Sequence, residues 1–500
     1  MAHFHPWKTL FVLSLVWPMG ASGLPLLRLY LNGDIPSVGA GGGDAFRDPM
    51  EARPTRDLER PALLATEKEG RLSLRLENEE ILSIQADRWA GTRAYDRRLH
   101  LSIVAPVADI FPSTNATLFL GVRRETARTR LENKKTGPIL DFAEARDIAS
   151  VGVGAKLPLD LGLGALLETG PTGAPSYAVE VRYHPWEFLA LAYLHRKNVE
   201  KYRLAIPEGV AKKLKSPELL YSIDQLREEN ELSASFQMDV IWLQGSVVAD
   251  APSNLWIEAG GRPLDWLKLR VGFDNHLYRF SDYMRAEGSG TIATVDMGLQ
   301  RRRLFAGADF DVPSGSILLR YIHGNLKNAS HADEIGTAAV QAFLDVDLDL
   351  DLLFRSGYEL ESHQIALGWE REVSDTFAFS VGLQALRLIS HPGDYAVTSG
   401  ALSLSLIAEE LKPAIVDVLT FTGSVEYRFL ERLSLRAALA QMIPIHVENP
   451  EAAPPSGGTI TSGGTSEKPP SSQERIRRIL DKLDKNGGGR LLILELSMSF

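Results

Sequence analysis

The chain has 500 residues, a formal net charge of −10 and no cysteine. The lack of cysteine excludes disulfides, thiolate metal sites and a lipid anchor on an acylated cysteine. The mild acidic excess, 64 acidic against 54 basic residues, gives no support for nucleic-acid binding. This length fits either several globular domains or one large barrel.

Residues 1–23 have the features of a secretory signal peptide. An apolar run at residues 9–17 follows a lysine, and the small residues Ala21 and Gly23 suit a cleavage site. The run is much shorter than the roughly 20 residues that a membrane-spanning helix needs. We therefore expect an exported protein whose mature chain begins near Leu24.

Residues 24–70 are rich in Gly, Pro and Arg and show no sustained alternation. This composition predicts a periplasmic segment, a plug inserted into a lumen, or disorder. Further along the chain, two glycine pairs are each spaced by two, Gly152 with Gly154 and Gly162 with Gly164. On a strand this spacing puts small residues on one face, which allows close approach of a plug or tight curvature.

The dominant pattern over residues 71–500 is an alternation with a period of two. For example, Leu267, Leu269, Val271 and Phe273 alternate with Lys268, Arg270, Gly272 and Asp274. An exported chain without apolar helices can span a membrane only as a closed barrel, because every backbone polar group in hydrocarbon must be paired. We predict an all-β fold, a transmembrane antiparallel β-barrel of about 14–18 strands with short helical insertions.

The polar face of these strands is predicted to line the lumen. Both signs of charge occur on it, and a mixed wall of this kind suits polar solutes such as sugars or zwitterions. The alternative is that the charges pair across the lumen and only make it rigid. The predicted lumen-facing residues are Arg98, His100, Arg123, Glu180, Arg182, Lys268, Arg270, Asp274, Asp345, Asp347, Asp349, Asp351, Glu426 and Arg436.

Three short turns share a pattern, at residues 183–189, 261–267 and 427–433. Trp186 and Trp266 lie beside the first two, where an aromatic belt marks the boundary between membrane and water. The recurrence predicts one kind of turn on one face of the barrel, the periplasmic face. Ordinary turn chemistry with core packing would also place Pro and Trp near a hairpin.

Several stretches depart from the alternation. Residues 205–230 have helical character, and residues 403–419 could be either helix or strand. Residues 447–489 begin as a Pro/Gly/Ser/Thr tract and continue, at residues 473–485, with apolar positions at helical spacing. A loop of that length is typically functional or disordered. We assign it to the outer side of the barrel.

The most acidic segment alternates four leucines and a valine with four aspartates, at residues 344–352. Each charge against lipid costs a few kcal/mol, so Asp345, Asp347, Asp349 and Asp351 must face water. A Ca²⁺ site is the alternative. Calcium needs six to eight oxygens converging on one point, whereas alternate carboxylates on a strand are spaced ~7 Å apart along a line.

A barrel hydrolase needs a Ser nucleophile with a His base and a third orienting group. The nearest Ser/His/Asp groupings are Ser330-His331 with Asp333 and Ser390-His391 with Asp394. Adjacent strand residues face opposite ways, so either group could act only in a loop, and polar surface loops are the better interpretation. No phosphate loop, HExxH zinc motif or dinucleotide fingerprint occurs. We predict no enzyme activity, catalytic residue, metal site or cofactor.

The last residues form the clearest strand. Leu494, Leu496, Met498 and the terminal Phe500 share one face. This pattern resembles the closing strand of Gram-negative outer-membrane β-barrels, in which it is the signal for insertion. The resemblance covers residues 71–500 and implies a bacterial outer-membrane location, contact with membrane lipid and recognition by the barrel-assembly machinery.

Within that class, turns such as the one at residues 262–267 resemble those of exopolysaccharide-export barrels and of fatty-acid-transporter-type barrels. The expected function is a channel or transporter for a polar solute or exported polysaccharide, working passively or with periplasmic partners. A structural or surface-binding barrel with a closed lumen is the second possibility. A barrel lipid hydrolase is the third.

Overall fold

The computed structural model describes residues 60–67, 69–81, 92–107, 115–133, 137–169, 175–204, 221–286, 291–335, 352–399, 402–406, 414–430, 432–448 and 489–500. Nearly all of these residues lie in strands, and the helix among them is a short 3-10 helix, Pro61–Thr66. No helix in the described ranges is long and apolar enough to cross a membrane.

Nineteen strands follow the 3-10 helix. In chain order they are β1 (Arg71–Ile81), β2 (Thr92–Pro106), β3 (Asn115–Asn133), β4 (Gly137–Leu157), β5 (Leu161–Thr169), β6 (Ser176–Trp186), β7 (Leu189–Leu204), β8 (Tyr221–Gln237), β9 (Ile241–Val248), β10 (Ala251–Leu264), β11 (Leu267–Ala286), β12 (Thr291–Val312), β13 (Gly315–Ile335), β14 (Leu352–Ser374), β15 (Phe377–Ser399), β16 (Leu402–Leu406), β17 (Ala414–Leu430), β18 (Leu433–Glu448) and β19 (Gly489–Ser499).

The strands close into an antiparallel ring. Each strand pairs with its neighbour in sequence, except that β15 pairs along most of its length with β17. The last strand, β19, pairs with β1 from Arg71 opposite Ser499 to Glu80 opposite Arg490. All strands except β16 belong to the ring, which therefore has 18 strands. This count confirms the predicted barrel at the upper end of the predicted size.

Two irregularities accommodate short strands. The β9–β10 hairpin is short, and beyond it residues 221–225 of β8 pair directly with residues 282–286 of β11. Strand β16 pairs with residues 395–399 of β15, where the β15–β17 ladder has already ended at Ser390. Both arrangements keep the backbone groups of long strands paired beyond the end of a shorter neighbour.

The two faces of the ring differ as the alternation predicts. On β3, Leu118 and Leu120 are 41% and 52% exposed, whereas Phe119 between them is 1% exposed. The same exposed apolar stripe recurs on strands around the ring, for example at Leu269 and Val271 of β11. These side chains form an outward apolar band, and the alternate, mostly polar side chains face inward.

The two ends of the ring also differ. Short turns join β4 to β5, β6 to β7, β10 to β11, β12 to β13 and β14 to β15, all at the end where β1 begins and β19 finishes. The three turns with the shared pattern lie at this end, as predicted. Aromatic pairs cluster there: Trp186 stacks on Phe188 with ring centroids 5.7 Å apart, and Tyr427 contacts Phe429 at 4.6 Å. This arrangement is that of an aromatic girdle.

The helical assignment of residues 205–230 is wrong where the structure describes it, and the ambiguous stretch 403–419 is strand where it is described. Residues 221–230 belong to β8, paired with β7. Residues 403–406 lie in β16 and residues 414–419 in β17. In each case the hydrogen-bond ladder of the neighbouring strands outweighs a local helical preference. The remaining parts of the two stretches, residues 205–220 and 407–413, lie outside the described residues.

The long loop near the C-terminus is slightly shorter than predicted, because β18 extends to Glu448 and β19 begins at Gly489. Other predictions fall outside the described residues. These are the signal peptide at 1–23, most of the segment 24–70, the aspartates of residues 345–351, and the helix at 473–485.

Candidate functional site: the inner wall of the barrel

A piece of the N-terminal segment lies inside the ring. The 3-10 helix starts with Pro61, whose fixed φ suits a first helical position, and closes with a hydrogen bond from the Glu67 N–H to the Leu64 carbonyl at 3.2 Å. Leu64 is fully buried. It packs in an apolar cluster on the inner wall with Val104, Phe119, Leu166, Ala178 and Leu194.

Glycines on β4 and β5 make room for this segment. A Cβ on Gly154 would lie 2.5 Å from the Ala65 nitrogen, and one on Gly164 would lie 2.1 Å from the Pro61 carbonyl carbon. Real Cβ atoms do not approach backbone atoms this closely. The predicted role of these glycines, close approach of a plug, is therefore confirmed for Gly154 and Gly164. At Gly162 the nearest atom is 3.7 Å away, which is ordinary contact.

Arg60, just before the helix, is the centre of a buried charge network. Its guanidinium lies 3.5 Å from Glu180 of β6 and forms a salt bridge with Glu231 of β8. It also donates a hydrogen bond to the Ser233 hydroxyl at 3.1 Å, and the Ala62 N–H donates to the Glu180 carboxylate at 3.0 Å. Because a buried charge is tolerated only when it is paired, these contacts anchor the segment to the wall.

The network continues along the wall from β7 to β11. Arg196 donates to the Glu229 carboxylate, with a distance of 2.9 Å from Nε, and lies 3.9 Å from Glu231. His276 of β11 lies 3.2 Å from the same Glu229 carboxylate. Basic side chains of β7 and β11 thus lie beside acidic side chains of β8.

A second chain of charges crosses β19, β1, β2, β3 and β5. Its ion pairs are Arg75–Glu495 (3.5 Å), Arg75–Glu77, Arg98–Glu77 (3.7 Å), Arg98–Glu125 (3.4 Å), Arg123–Glu125 (3.0 Å) and Arg123–Glu168 (3.6 Å). Cross-strand pairs of opposite charge each contribute roughly 0.2–1 kcal/mol to a sheet. Three of the pairs join adjacent strands, Arg75–Glu77 and Arg123–Glu125 each lie within one strand, and Arg123–Glu168 spans β4, so the chain of charges follows the wall.

A third group lies on β10 to β13. Asp274 lies between two arginines of β12, 2.9 Å from Arg301 and 2.8 Å from Arg303. Nearer the short turns, Glu258, Arg270, Asp309 and Arg320 form a connected set, with the Arg270–Asp309 pair at 3.1 Å. The Lys268 ammonium lies 5.8 Å from the centre of the Trp242 ring, a cation–π contact.

The inner wall of β14, β15 and β17 is different, because uncharged polar side chains lie there among buried apolar ones such as Leu386 and Val418. Ser362, Gln364, Gln384 and Thr420 are all buried, and the Ser380 hydroxyl is 2.7 Å from that of Ser424. One arc of the wall therefore presents amides and hydroxyls, while the arc from β19 through β1 to β13 presents paired charges.

The described residues among those predicted to face the lumen all lie on the inner face. These are Arg98, His100, Arg123, Glu180, Arg182, Lys268, Arg270, Asp274, Glu426 and Arg436. Asp345, Asp347, Asp349 and Asp351 lie outside the described residues. Whether these side chains contact a solute stays a prediction.

Several inner charges were missed from sequence. Arg60 lies in a segment with no periodicity, and Glu229 and Glu231 lie at or just beyond a stretch assigned to a helix. Arg301, Arg302 and Arg303 are consecutive, so this run shows no alternation of apolar and polar residues from which to assign faces. A strand assignment for β8 would have placed both glutamates on the inner face.

The serine groupings considered for catalysis do not lie in loops, as had been expected. Ser330, His331 and Asp333 belong to β13, and Ser390, His391 and Asp394 belong to β15. The loop interpretation is therefore wrong. Within a regular strand, consecutive residues face opposite sides of the sheet.

The closing strand has its predicted apolar face on the outside. Leu494, Leu496, Met498 and Phe500 are all exposed on the outward band. Phe500 and Gly70 exchange backbone hydrogen bonds, 2.9 Å from the Phe500 N–H and 3.2 Å from the Gly70 N–H. The chain end is thus part of the seam that closes the ring.

A closed antiparallel barrel with an apolar outer band, a polar inner wall, and an aromatic girdle at the end with the short turns is a Gram-negative outer-membrane β-barrel. The chain is a protein of this class, and its location is the outer membrane. No protein-family model matches the sequence, and no curated protein matches it.

Solved structures match the chain over most of its length at low identity. OccK7 (OpdD) of Pseudomonas aeruginosa is 10% identical, with a TM-score of 0.37, over 86% of this chain and 98% of that one. OmpT, an outer membrane protein of Vibrio cholerae, is 9% identical, with a TM-score of 0.34, over 86% and 97%. A FadL homologue of P. aeruginosa is 10% identical, with a TM-score of 0.29, over 88% and 92%.

Proposed function

We propose that the protein is an outer-membrane channel or transporter for a polar solute or an exported polysaccharide, acting by passive diffusion or with periplasmic partners. The observation that carries this proposal is the polar inner wall of an 18-strand ring. A ring of this size encloses more space than its own side chains fill. Charged side chains occur on many strands of this wall, as expected if the wall contacts water or a polar cargo.

The division of the inner wall supports a polar cargo over a simple ion. Hydroxyls of partly exposed inner-face residues, such as Thr422 and Ser424 of β17, can hydrogen-bond uncharged groups like sugar hydroxyls. The charged arc has both signs, and its ion pairs lie along the wall, so it has no strong preference for one sign of ion.

The N-terminal segment makes the channel partly plugged. Residues 60–66 cover the inner face of β3 to β6 and are held there by Arg60. Removing one partner of a buried ion pair costs about 3–5 kcal/mol when the other charge is left uncompensated. The cost is smaller here, because Arg182 stays 3.6 Å from Glu180 and Arg196 stays 3.9 Å from Glu231. Loss of the Arg60 side chain should release the segment from Glu180 and Glu231.

The test is conductance of the purified protein in planar lipid bilayers. We expect ion current from the native protein, and a larger current from Arg60→Ala and from a chain lacking residues 24–66, which keeps Gly70 for closure of the ring. Arg124→Ala is the matched control, because Arg124 lies on the outer face with its side chain 65% exposed and 3.7 Å from Asp147. Absence of current from every version, with all of them folded, would contradict the channel.

A closed-lumen barrel that is structural or binds a surface partner is the second candidate. It is favoured by the burial of inner side chains such as Arg60 and Glu180, both 0% exposed. The same bilayer measurement separates the two functions. A folded protein without residues 24–66 that still passes no ions supports the closed barrel.

We also propose that the barrel carries out no catalysis, because the Ser/His groupings at Ser330 and Ser390 lie on consecutive strand positions. Lipase and esterase assays on the purified protein test this. Activity that is abolished by Ser330→Ala or Ser390→Ala would show instead that the protein is a barrel hydrolase.

A further inference from the structure

Two histidines and a glutamate meet on the outer face of β13 and β14. His323 and His363 are direct partners in the antiparallel register, and Glu361 lies two residues before His363 on the same face. One ligand atom from each of the three residues lies within 4.8 Å of the other two. The histidine rings have centroids 4.7 Å apart, and His363 Nε2 is 3.1 Å from a Glu361 carboxylate oxygen.

The register explains why these groups converge. Directly opposed residues of an antiparallel pair have Cβ atoms about 4.5–5.5 Å apart, and alternate residues along a strand share a face. Two imidazoles from adjacent strands and one carboxylate from the next position on the same face therefore approach one point. Zinc sites need ligand atoms about 2.0–2.2 Å from the metal, which small side-chain rotations would reach from the present spacing.

A neighbouring side chain orients one of the imidazoles. The Tyr321 hydroxyl is 3.3 Å from His363 Nδ1. In the tautomer whose Nδ1 proton is directed to that oxygen, the Nε2 lone pair is available to a metal ion held with Glu361. Metal-bound histidines characteristically have such a partner on the other ring nitrogen, because it sets the tautomer and the ring orientation.

The second histidine also fits a ligand. His323 Nδ1 is shielded from solvent and has no hydrogen-bond partner among the described residues. The site is nevertheless open to the outside, since the His363 and Glu361 side chains are 40% and 32% exposed. An ion can therefore reach it without a change in the fold.

The cluster lies at the edge of the outward apolar band. Leu319 and Tyr321 of β13 and Ile365 and Leu367 of β14 are exposed apolar or aromatic residues on the short-turn side of it. On the other side, Lys327 and Glu359 form an exposed ion pair at 3.0 Å. The site thus faces the boundary between lipid and water at the end of the barrel opposite the short turns, and the sheet separates it from the lumen.

We propose that His323, Glu361 and His363 bind one divalent transition-metal ion of the Zn²⁺ class on the outer surface of the barrel. Two imidazole nitrogens with one carboxylate suit Zn²⁺, Cu²⁺ or Ni²⁺, whereas Mg²⁺ and Ca²⁺ require oxygen ligands. A fourth position is left for water. The proposal is independent of the channel function, because the site does not face the lumen.

The test uses the full mature protein in detergent, without a histidine tag, freed of metal by dialysis against a chelator and then buffer, and titrated with Zn²⁺ in a calorimeter. We expect one Zn²⁺ per chain, lost in His323→Ala and in His363→Ala. Tyr321→Phe should weaken binding by roughly 10-fold, since outer partners of metal ligands contribute factors of about 10–100. His195→Ala is the matched control: His195 also lies on the outer face, but its Nδ1 is 2.9 Å from Asn230 and it has no second histidine opposite.

Two further measurements make the outcome decisive. The electron paramagnetic resonance spectrum of bound Cu²⁺ should show two nitrogen ligands in the native protein and in His195→Ala, and lose this signature in the His323→Ala/His363→Ala double variant. Zn²⁺ at one equivalent should leave the conductance unchanged, because the ion binds outside the lumen. Equal Zn²⁺ binding by the native protein and the double variant, both confirmed as folded by their heat-modifiable migration, would overturn the proposal.

Discussion

The Cβ that Gly164 lacks would lie 2.1 Å from the carbonyl carbon of Pro61, so the backbone of the inner segment rests directly on β5. Gly162 lies two residues earlier on the same strand face, and its nearest neighbour is the Arg182 Cβ at 3.7 Å. Substituting alanine at each glycine in turn therefore distinguishes two effects. Both changes add a methyl group to the same strand face, but only the one at Gly164 collides with the segment.

Gly164→Ala should therefore displace the segment, whereas Gly162→Ala should not. Overpacking of this kind costs about 1–3 kcal/mol. Because the chain has no cysteine, Ala62→Cys provides a unique probe at a position that is 1% exposed. We expect maleimide labelling of Cys at this position to be faster by roughly tenfold or more in the Gly164→Ala background. Equal labelling in the Gly162→Ala and Gly164→Ala backgrounds would show that the segment does not depend on this contact.

Asp274→Asn should change ion selectivity. The carboxylate lies between Arg301 and Arg303 on the inner wall, so its loss leaves two positive charges without their shared partner. We expect the anion-to-cation permeability ratio, measured from the reversal potential in a salt gradient, to rise by roughly twofold.

Asp147→Asn is the control for this prediction, since it removes the same charge from an exposed position on the outer face. An unchanged reversal potential in both variants would mean that ions do not pass near Asp274. Loss of folded protein in Asp274→Asn alone would show that the ion cluster mainly stabilises the wall.

The aspartates of residues 345–351 lie outside the described residues, and substituting them tests the prediction that they face the lumen. Replacing Asp345, Asp347, Asp349 and Asp351 with Asn should leave assembly intact and shift ion preference away from cations, because four negative charges that face water are removed. Folded protein in the outer membrane and the reversal potential are the two measurements. Failure to insert would mean that these residues do not face the lumen.

The chain end should matter for assembly. Phe500→Ala removes the ring that packs at Gly70, where an added Cβ would lie 2.3 Å from it, and changes the terminal aromatic that we propose the assembly machinery recognises. We expect the amount of folded protein in the outer membrane to fall several-fold, as measured by heat-modifiable migration of membrane fractions.

Phe429→Ala is the matched control, because Phe429 is an exposed aromatic at the same end of the barrel but lies inside the chain. A similar loss in both variants would assign the effect to the aromatic girdle instead of the terminus.

The sequence alone determined the class of fold and the face of most strand residues. A strand has a side-chain period of two, and lipid tolerates few charges, so a segment such as 267–274 has only one acceptable orientation. The same reasoning places Arg98, Glu180 and Asp274 on the inner wall. The glycines at 154 and 164 also carried a signal, because a glycine inside a strand often marks the close approach of another backbone.

Only the tertiary structure decided which residues meet. Arg60 pairs with Glu180 and Glu231 across 120 and 171 positions, and no local pattern in residues 24–70 indicates it. Strand β8 was not predicted, because its residues have a local helical preference. They form a strand because backbone hydrogen bonds to the neighbouring strands on both sides outweigh that preference. His323 and His363, forty positions apart, become neighbours through the register of β13 and β14, since a shift of one residue would turn one of them to the other face.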